Sequence, residues 1–450
     1  MSKELSPIQK KTLGIVFFTI FLDLVGFAII FPLIPQLTSH YSLVDSQNIF
    51  MHTLWNGVDL LTSFIGSPLK EGQQIVLFGC LLGAIYSLLQ FFAAPFWGKL
   101  SDRIGRKKIM LTTLSGMVIS YLVWIFSASF SLLILSRLIG GLFSGNLSVA
   151  TAIVADITTK EQRSKGMALI GIAFALGFVF GPAMGGLISL WDMSKAFPEY
   201  VQYGINPFSS AASLAFFLSL MNLLLAIKYL PETKGFLEKA QGVKNTSEVV
   251  HRTANLFKIF SFRFSKAVNQ TNFSYFLFIA LFAGMEFTIT FMTVERLAFT
   301  PTENGLIFVF IGFLIALVQG GFVRRRAHII GEKKVALLGL ILLSPGLLFL
   351  GYAQSITGLL IGLTFLSFGS AMVVPTLTSM VSLLTSENEQ GEVLGIFRSL
   401  GALGRILGPL WASLVYWRFG SFYAYLSGAL LIIIPIFVLK NVHFTKENSK

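Results

Sequence analysis

The sequence predicts an all-α integral membrane protein. It reads as twelve transmembrane helices in two six-helix pseudo-repeats, with both termini cytoplasmic. Three observations lead there. Hydrophobic residues make up 54% of the 450 residues and charged residues only 12%, about half the charged share of a soluble globular chain. The mean hydropathy is +0.75, and apolar runs of the roughly 20 residues a bilayer demands recur along the whole chain. Lys and Arg then concentrate in alternate connections between those runs. Too little charge remains to solvate a surface of this size, which excludes a soluble enzyme or a disordered chain. A single cysteine, Cys80, excludes a disulfide scaffold and a Cys-rich metal site.

The elements follow in order. MSKELSPIQKK enters an apolar run at 13–37 with no small-residue cleavage site, so this is read as a retained first span. Further spans are expected at 73–97, 109–128, 131–155, 166–190 and 210–230. The second set lies at 272–295, 303–323, 334–353, 355–383, 391–416 and 420–440. The connections near 129 and 354 are nearly absent, so those pairs are tight helical hairpins. The connection 38–72 is long. A polar, basic stretch at 231–271 divides the chain into a bundle at 1–230 and a second at 272–450. Within that stretch, 251–268 alternate aromatic and basic residues. This pattern suits an interfacial helix on an anionic leaflet or a regulatory site for a partner or lipid.

Orientation comes from the basic residues. With the N-terminus inside, inner segments hold Lys3, Lys10 and Lys11, the cluster Lys99 to Lys108, and Lys160, Arg163 and Lys165. They also hold the central loop, Arg324 to Lys334, and Lys440, Lys446 and Lys450. The outer connections hold only Lys70, Lys195, Arg296 and Arg418. This asymmetry places both termini in the cytoplasm, which requires an even number of spans. The net charge of +13 is therefore assigned to inner loops facing membrane lipids, and no nucleic-acid partner is expected.

The halves repeat. Gly177, Gly181 and Pro182 in span 5 match Gly404, Gly408 and Pro409 in span 11 at an offset of 227. The basic turns centred on Gly105 and Gly331 are 226 apart. Internal repeats are the usual build of secondary transporters. Gly177, Gly181 and Gly185 line one helix face, followed by Gly186, and permit close backbone approach. The sharpest local signal joins spans 2 and 3: Gly98-Lys-Leu-Ser-Asp102-Arg103-Ile-Gly105-Arg106-Lys107-Lys108. Two glycines allow a tight turn, Asp102 can cap or pair with a helix start, and the basic cluster holds the turn at the inner surface.

That turn resembles the G-x-L-x-D-R-x-G-R-[RK]-[RK] signature of the major facilitator superfamily, with every fixed position matched. Further pieces resemble its drug:proton antiporter branch, in particular tetracycline-efflux-like members. They are Asp23-x-x-Gly26 with Pro32 and Pro35, Arg137 followed by Gly140, Gly141 and Gly145, and Gly177 through Gly186 as the antiporter motif. The resemblance covers essentially the whole chain. It implies the major facilitator fold, alternating access, a monomer, a multi-pass location in a cell membrane such as a bacterial inner membrane, and antibiotic or multidrug efflux. It also implies that spans 1 and 4 line a central cavity, that the span 5 motif resists leakage, and that the Asp102 turn governs gating. Two departures stand out: the second-half turn lacks the Asp, and 38–72 is long for the family.

Ionisable residues inside spans are costly and thus functional candidates. They are Asp23, Arg137, Glu286, Arg398 and Arg405. At 1.5 Å per residue, Asp23 and Arg137 fall roughly 15 and 20 Å above the inner membrane edge, so a direct Asp23–Arg137 pair is expected, structural or switchable. Glu286, in the apolar context Gly284-Met-Glu-Phe-Thr288 of span 7, is the first candidate for the coupling proton. Arg405 is expected at a similar depth on span 11, and Arg398 nearer the cytoplasm.

No histidine lies in a span, and no G-x-x-x-x-G-K-[ST] nucleotide loop exists. Energy must then come from an ion gradient or from the solute. No nucleophile–base pair or metal cluster supports an enzyme, and no cofactor or metal is expected. The partners expected are a small-molecule substrate, protons and lipids. The leading reading is proton-coupled efflux of amphipathic or aromatic molecules. The alternatives are an importer or facilitator of a polar metabolite in the same fold, and a non-transporting scaffold or sensor.

Overall fold

The computed structural model describes residues 6–45, 48–65, 74–158, 160–234, 264–385 and 390–442. Among the described residues there is no strand. Helix α1 spans Pro7–Ala28, opened by a capping box in which Ser6 and Gln9 exchange side-chain and backbone hydrogen bonds. Pro32 then forces a 3₁₀ turn, Phe31–Leu33, before α2, Ile34–Val44. Next come α3 (Ile49–Ile65), α4 (Gln74–Ile104) and α5 (Arg106–Ile125). The expected fourth span is broken into α6 (Phe130–Phe143) and α7 (Asn146–Ile157) at Ser144-Gly145. Then follow α8 (Lys160–Ile188), the short α9 (Met193–Ala196), a 3₁₀ segment (Pro198–Tyr203) and α10 (Ser209–Tyr229).

In the second half α11 spans Lys266–Leu297 and α12 Pro301–Val318. A π-helical segment, Gln319–Val323, leads into α13, Arg324–Ile330. The remaining helices are α14 (Glu332–Tyr352), α15 (Ile356–Leu383), α16 (Gln390–Phe419), α17 (Ser421–Leu431) and α18 (Ile433–Lys440). Eleven helical stretches among the described residues are long and apolar enough to cross a membrane. The expected span at 391–416 is helical as part of α16, but it is not among the eleven. Its sequence carries Arg398, Arg405 and a run of glycines, so packing against α11 and not hydropathy identifies it.

The structure departs from the sequence reading in three further places. Residues 38–72 hold the end of α2 and all of α3, so much of that connection is helical. Gly98 and Asp102 lie inside α4, and the turn is made by Gly105 alone, at φ +117°. Such a backbone strongly favours glycine, and Gly331 repeats it at φ +97°. Residues 266–271, assigned to the central loop, form the first turns of α11. Most of the aromatic–basic stretch 251–268 lies outside the described residues.

The chain divides into two compact units. The first comprises Met1–Leu54, Leu82–Thr253 and Thr300–Val309, and the second Trp55–Leu81, Ala254–Phe299 and Phe310–Lys450. In the first unit, Val16, Ile20, Met110, Leu114, Ile153 and Ala173 interlock at the centre of α1, α5, α7 and α8. In the second unit α14 packs along α15, and α11 along α16. Large apolar side chains such as Phe18, Phe92, Phe313 and Phe437 are exposed, as expected where lipid is the solvent.

Candidate functional site

In the first unit the break between α6 and α7 places Asn146 at the start of a half-helix. Its Nδ2 donates to Oδ1 of Asp23 at 2.9 Å. Asp23, half-buried on α1, thus lies beside the positive N-terminal end of α7. The expected Asp23–Arg137 pair is not formed. The guanidinium of Arg137, 5% exposed, lies over the Trp124 ring at 4.6 Å and donates from Nη2 to Ser136 Oγ at 3.2 Å. Helix rise fixed the depth of the two residues but not the rotation that would make them meet. Arg137 Nε, Trp124 Nε1 and the Tyr121 hydroxyl are buried and have no hydrogen-bond partner among the described residues. All three can donate. Around them, Phe27 lies 4.9 Å from Tyr86 and 6.1 Å from Phe178, ring centre to ring centre.

The inner turn is organised by Arg106, 8% exposed. It contacts Asp102 at 2.5 Å, four residues back, and Asp156 at the end of α7 at 2.8 and 3.3 Å. Ser101 Oγ accepts a further bond at 2.7 Å. Asp102 does not cap α5. That role belongs to Glu232, whose carboxylate accepts the amides of Arg106 (2.9 Å) and Lys107 (3.2 Å). In return Lys107 Nζ donates to the carbonyl of Ile227 near the end of α10, at 3.0 Å. An acidic group at one helix N-terminus and a basic group at the neighbouring C-terminus complement both dipoles. Burial raises the Glu232 carboxyl, but the amide bonds from Lys234, Arg106, Lys107 and Thr233 outweigh it and hold it below the usual range. Lys333, the repeat equivalent of Lys107, donates to the carbonyls of Lys440 (2.8 Å) and Val442 (2.6 Å). Arg103 and Lys108 sit at the exposed surface of the turn.

In the second unit Glu286 is half-buried on α11, and Arg405 on α16 is the cation whose charge reaches it. Tyr275 stacks on Phe397 at 3.7 Å, and the charges of both Arg405 and Arg398 act on it. Arg398 itself is exposed.

The two glycine faces do the same work. A Cβ on Gly181 would lie 2.6 Å from Ala28 Cβ and 2.8 Å from the Val25 carbonyl, and Gly185 faces the Ile29 carbonyl. Gly404 meets the Phe276 carbonyl at 3.0 Å, and Gly408 meets that of Ala280. Gly177 meets Leu24 on α1 in the same way, while Gly186 approaches the Pro301 carbonyl at 2.7 Å. Pro182 and Pro409 are both accommodated inside their helices.

Several contributors escaped sequence reasoning. No motif in the sequence marks Asn146, Asp156 or Glu232 for these contacts. Arg296 read as a stray outer charge. It donates to the carbonyls of Gly351 (2.8 Å) and Ala353 (2.9 Å), capping α14, and to Ser421 Oγ (2.8 Å). The first unit caps the equivalent end of α5 with Ser209 Oγ on the Ile125 carbonyl and Tyr41 and Asn206 on the Ser127 carbonyl. Those partners are distant in sequence, so only the charged or polar residue types near span ends could have hinted at them.

Comparison with known proteins places this arrangement. The sequence family described as Major Facilitator Superfamily matches residues 16–408 and 297–450. The chain is 35% identical over 458 aligned residues to major facilitator superfamily domain-containing protein 10 of Mus musculus, covering 98% of this chain and 95% of that one. It is 27% identical to the class B tetracycline resistance protein of Escherichia coli, covering 88% and 86%. Among solved structures, the human organic anion transporter MFSD10 (TETRAN) superposes with a TM-score of 0.73 at 34% identity, covering 96% of this chain and all of that one. A bacterial homologue of the human lysosomal transporter Spinster shares the fold, with a TM-score of 0.61 at 12% identity over 98% and 96% of the two chains.

Proposed function

The chain belongs to the major facilitator superfamily, and from that premise we propose that it exports amphipathic, aromatic organic anions in exchange for protons. It is a multi-pass membrane transporter and not an enzyme. The observation that carries the substrate class is the buried group of unsatisfied donors in the first unit: Arg137 Nε, Trp124 Nε1 and the Tyr121 hydroxyl. Buried polar groups without partners are rare and invite explanation. A cation and two donors beside aromatic rings suit a ligand with an anionic head and an apolar, aromatic body. The similar human protein, an organic anion transporter, supports the same class.

Proton coupling falls to Asp23 on α1 and Glu286 on α11. A charged carboxylate is costly in this setting unless compensated. Asp23 has one amide partner, and Glu286 has the charge of Arg405. Efflux as the direction, and an antibiotic as the cargo, rest on the tetracycline resistance relatives. The more similar mammalian relatives give a bacterial inner membrane no particular support. Twelve spans, cytoplasmic termini and a monomeric working unit complete the reading.

The test is transport in proteoliposomes under an imposed pH gradient, with a fluorescent aromatic carboxylate as probe. Uphill movement driven by ΔpH, slowed about tenfold or more by Arg137→Gln, is the expected result. Equal transport of a cationic analogue, or indifference to ΔpH, overturns the proposal.

A further inference from the structure

We propose that the lipid-facing side of α10, together with the start of α1, is a binding site for an anionic phospholipid. The acyl chain lies along α10, and the phosphate sits between Lys11 and Lys228. The site rests on the cytoplasmic placement of the termini and is otherwise independent of the transport reading.

The apolar part is a groove of about 400 Å³ floored by Phe217, Leu220, Met221 and Leu224. Phe217 is 63% and Leu224 55% exposed, so the groove opens to the surroundings of the first unit. From Phe217 to Lys228 the helix rises roughly 16 Å. That is about half of a hydrocarbon core of about 30 Å, the depth of one leaflet.

The polar end is unusual in its charge. Lys228 Nζ lies 5.1 Å and Lys11 Nζ 5.6 Å from the centre of the same Tyr229 ring. Two ammonium groups therefore lie within 5.6 Å of the centre of one ring, that of Tyr229, which lines the groove together with Lys228. Among the described residues neither forms an ion pair. The neighbouring charges are already engaged. Lys107 is bonded to the Ile227 carbonyl, and Glu232 to the amides that open α5. Like charges repel, and an anion that reaches both turns repulsion into attraction. At the inner membrane surface the available anion with an apolar tail is a phospholipid, and each Lys near an anionic leaflet contributes about 1 kcal/mol. Snorkelling lysines alone would reach the interface without choosing a headgroup. The groove and the paired ammonium groups together predict a choice.

The experiment is native mass spectrometry of the full chain in detergent, titrated with phosphatidylglycerol or phosphatidylcholine of matched chains. We expect phosphatidylglycerol to bind about tenfold or more tightly than phosphatidylcholine. The K11Q/K228Q pair should remove that preference, and K11R/K228R should keep it. Leu224→Trp, which fills the groove, should weaken phosphatidylglycerol several-fold. Inorganic phosphate should not compete at equal concentration. Three results each overturn the proposal: no headgroup preference, an equal loss with K440Q elsewhere on the surface, or competition by inorganic phosphate as strong as by lipid.

Discussion

Glu286 and Asp23 occupy equivalent spans yet have different neighbours, which gives them separable roles. Asp23 is held by Asn146 Nδ2, while Glu286 is reached by the charge of Arg405. Glu286→Gln is expected to abolish ΔpH-driven uphill transport and to leave downhill exchange intact. If the variant still concentrates substrate in response to ΔpH, coupling lies elsewhere, with Asp23 the first alternative. The inner turn separates its two acids in a second way. The Asp102 side chain is 61% exposed and that of Asp156 21%. Asp102→Asn should change stability by less than about 0.5 kcal/mol, yet cut turnover strongly while substrate affinity holds. Asp156→Asn leaves the mostly buried Arg106 with only the exposed Asp102 as counter-charge and should cost about 3 kcal/mol. Thermal unfolding in detergent and substrate-binding titrations distinguish the two. Normal turnover in the Asp102 variant would remove its gating role.

At the scale of elements, helix pairs are held by close backbone contact along their length and by clasps at their ends. Gly181→Leu drives a side chain into the α1 backbone near Val25 and Ala28 and should cost about 3 kcal/mol or more. A folded, fully active variant would refute close packing as the reason for that glycine. The α5–α10 clasp makes a pH prediction. The Glu232 carboxyl is held below its usual range, so its contribution to stability is present above the ordinary glutamate range, near pH 4.3. That contribution is lost as pH falls through the depressed folded value. Hydrogen exchange at the amides of Arg106 and Lys107 should therefore quicken below about pH 4 in the wild type. In Glu232→Gln it should be faster already at neutral pH and show no such step.

For the molecule as a whole, the orientation proposal can be read out chemically because the chain has one cysteine, Cys80, and it is buried. In intact cells a membrane-impermeant maleimide should leave the native chain unlabelled. A cysteine placed at Lys195 in a Cys80→Ser background should label from outside. Cysteines placed at Ser2 or Ser449 should label only after permeabilisation. External labelling at either terminus would overturn the twelve-span, cytoplasmic-termini reading.

The sequence by itself determined the solvent, the fold family and the repeat. A charged fraction of 12% leaves a chain of this length no folded state outside lipid, and apolar runs of helix length specify their own backbone hydrogen bonding locally. The Gly105 turn and the glycine faces of α8 and α16 were equally legible. A positive φ or a backbone contact excludes nearly every other residue type, so the requirement is written in the residue itself. Only the tertiary structure decided the pairings. Asp23 met Asn146 and not Arg137, Glu232 capped α5 in place of Asp102, and Arg296 closed the end of α14. Each depends on the rotation of one helix against another, or on a break such as that at Ser144-Gly145. Hydropathy fixes how deep a residue lies, whereas only packing fixes which way it turns.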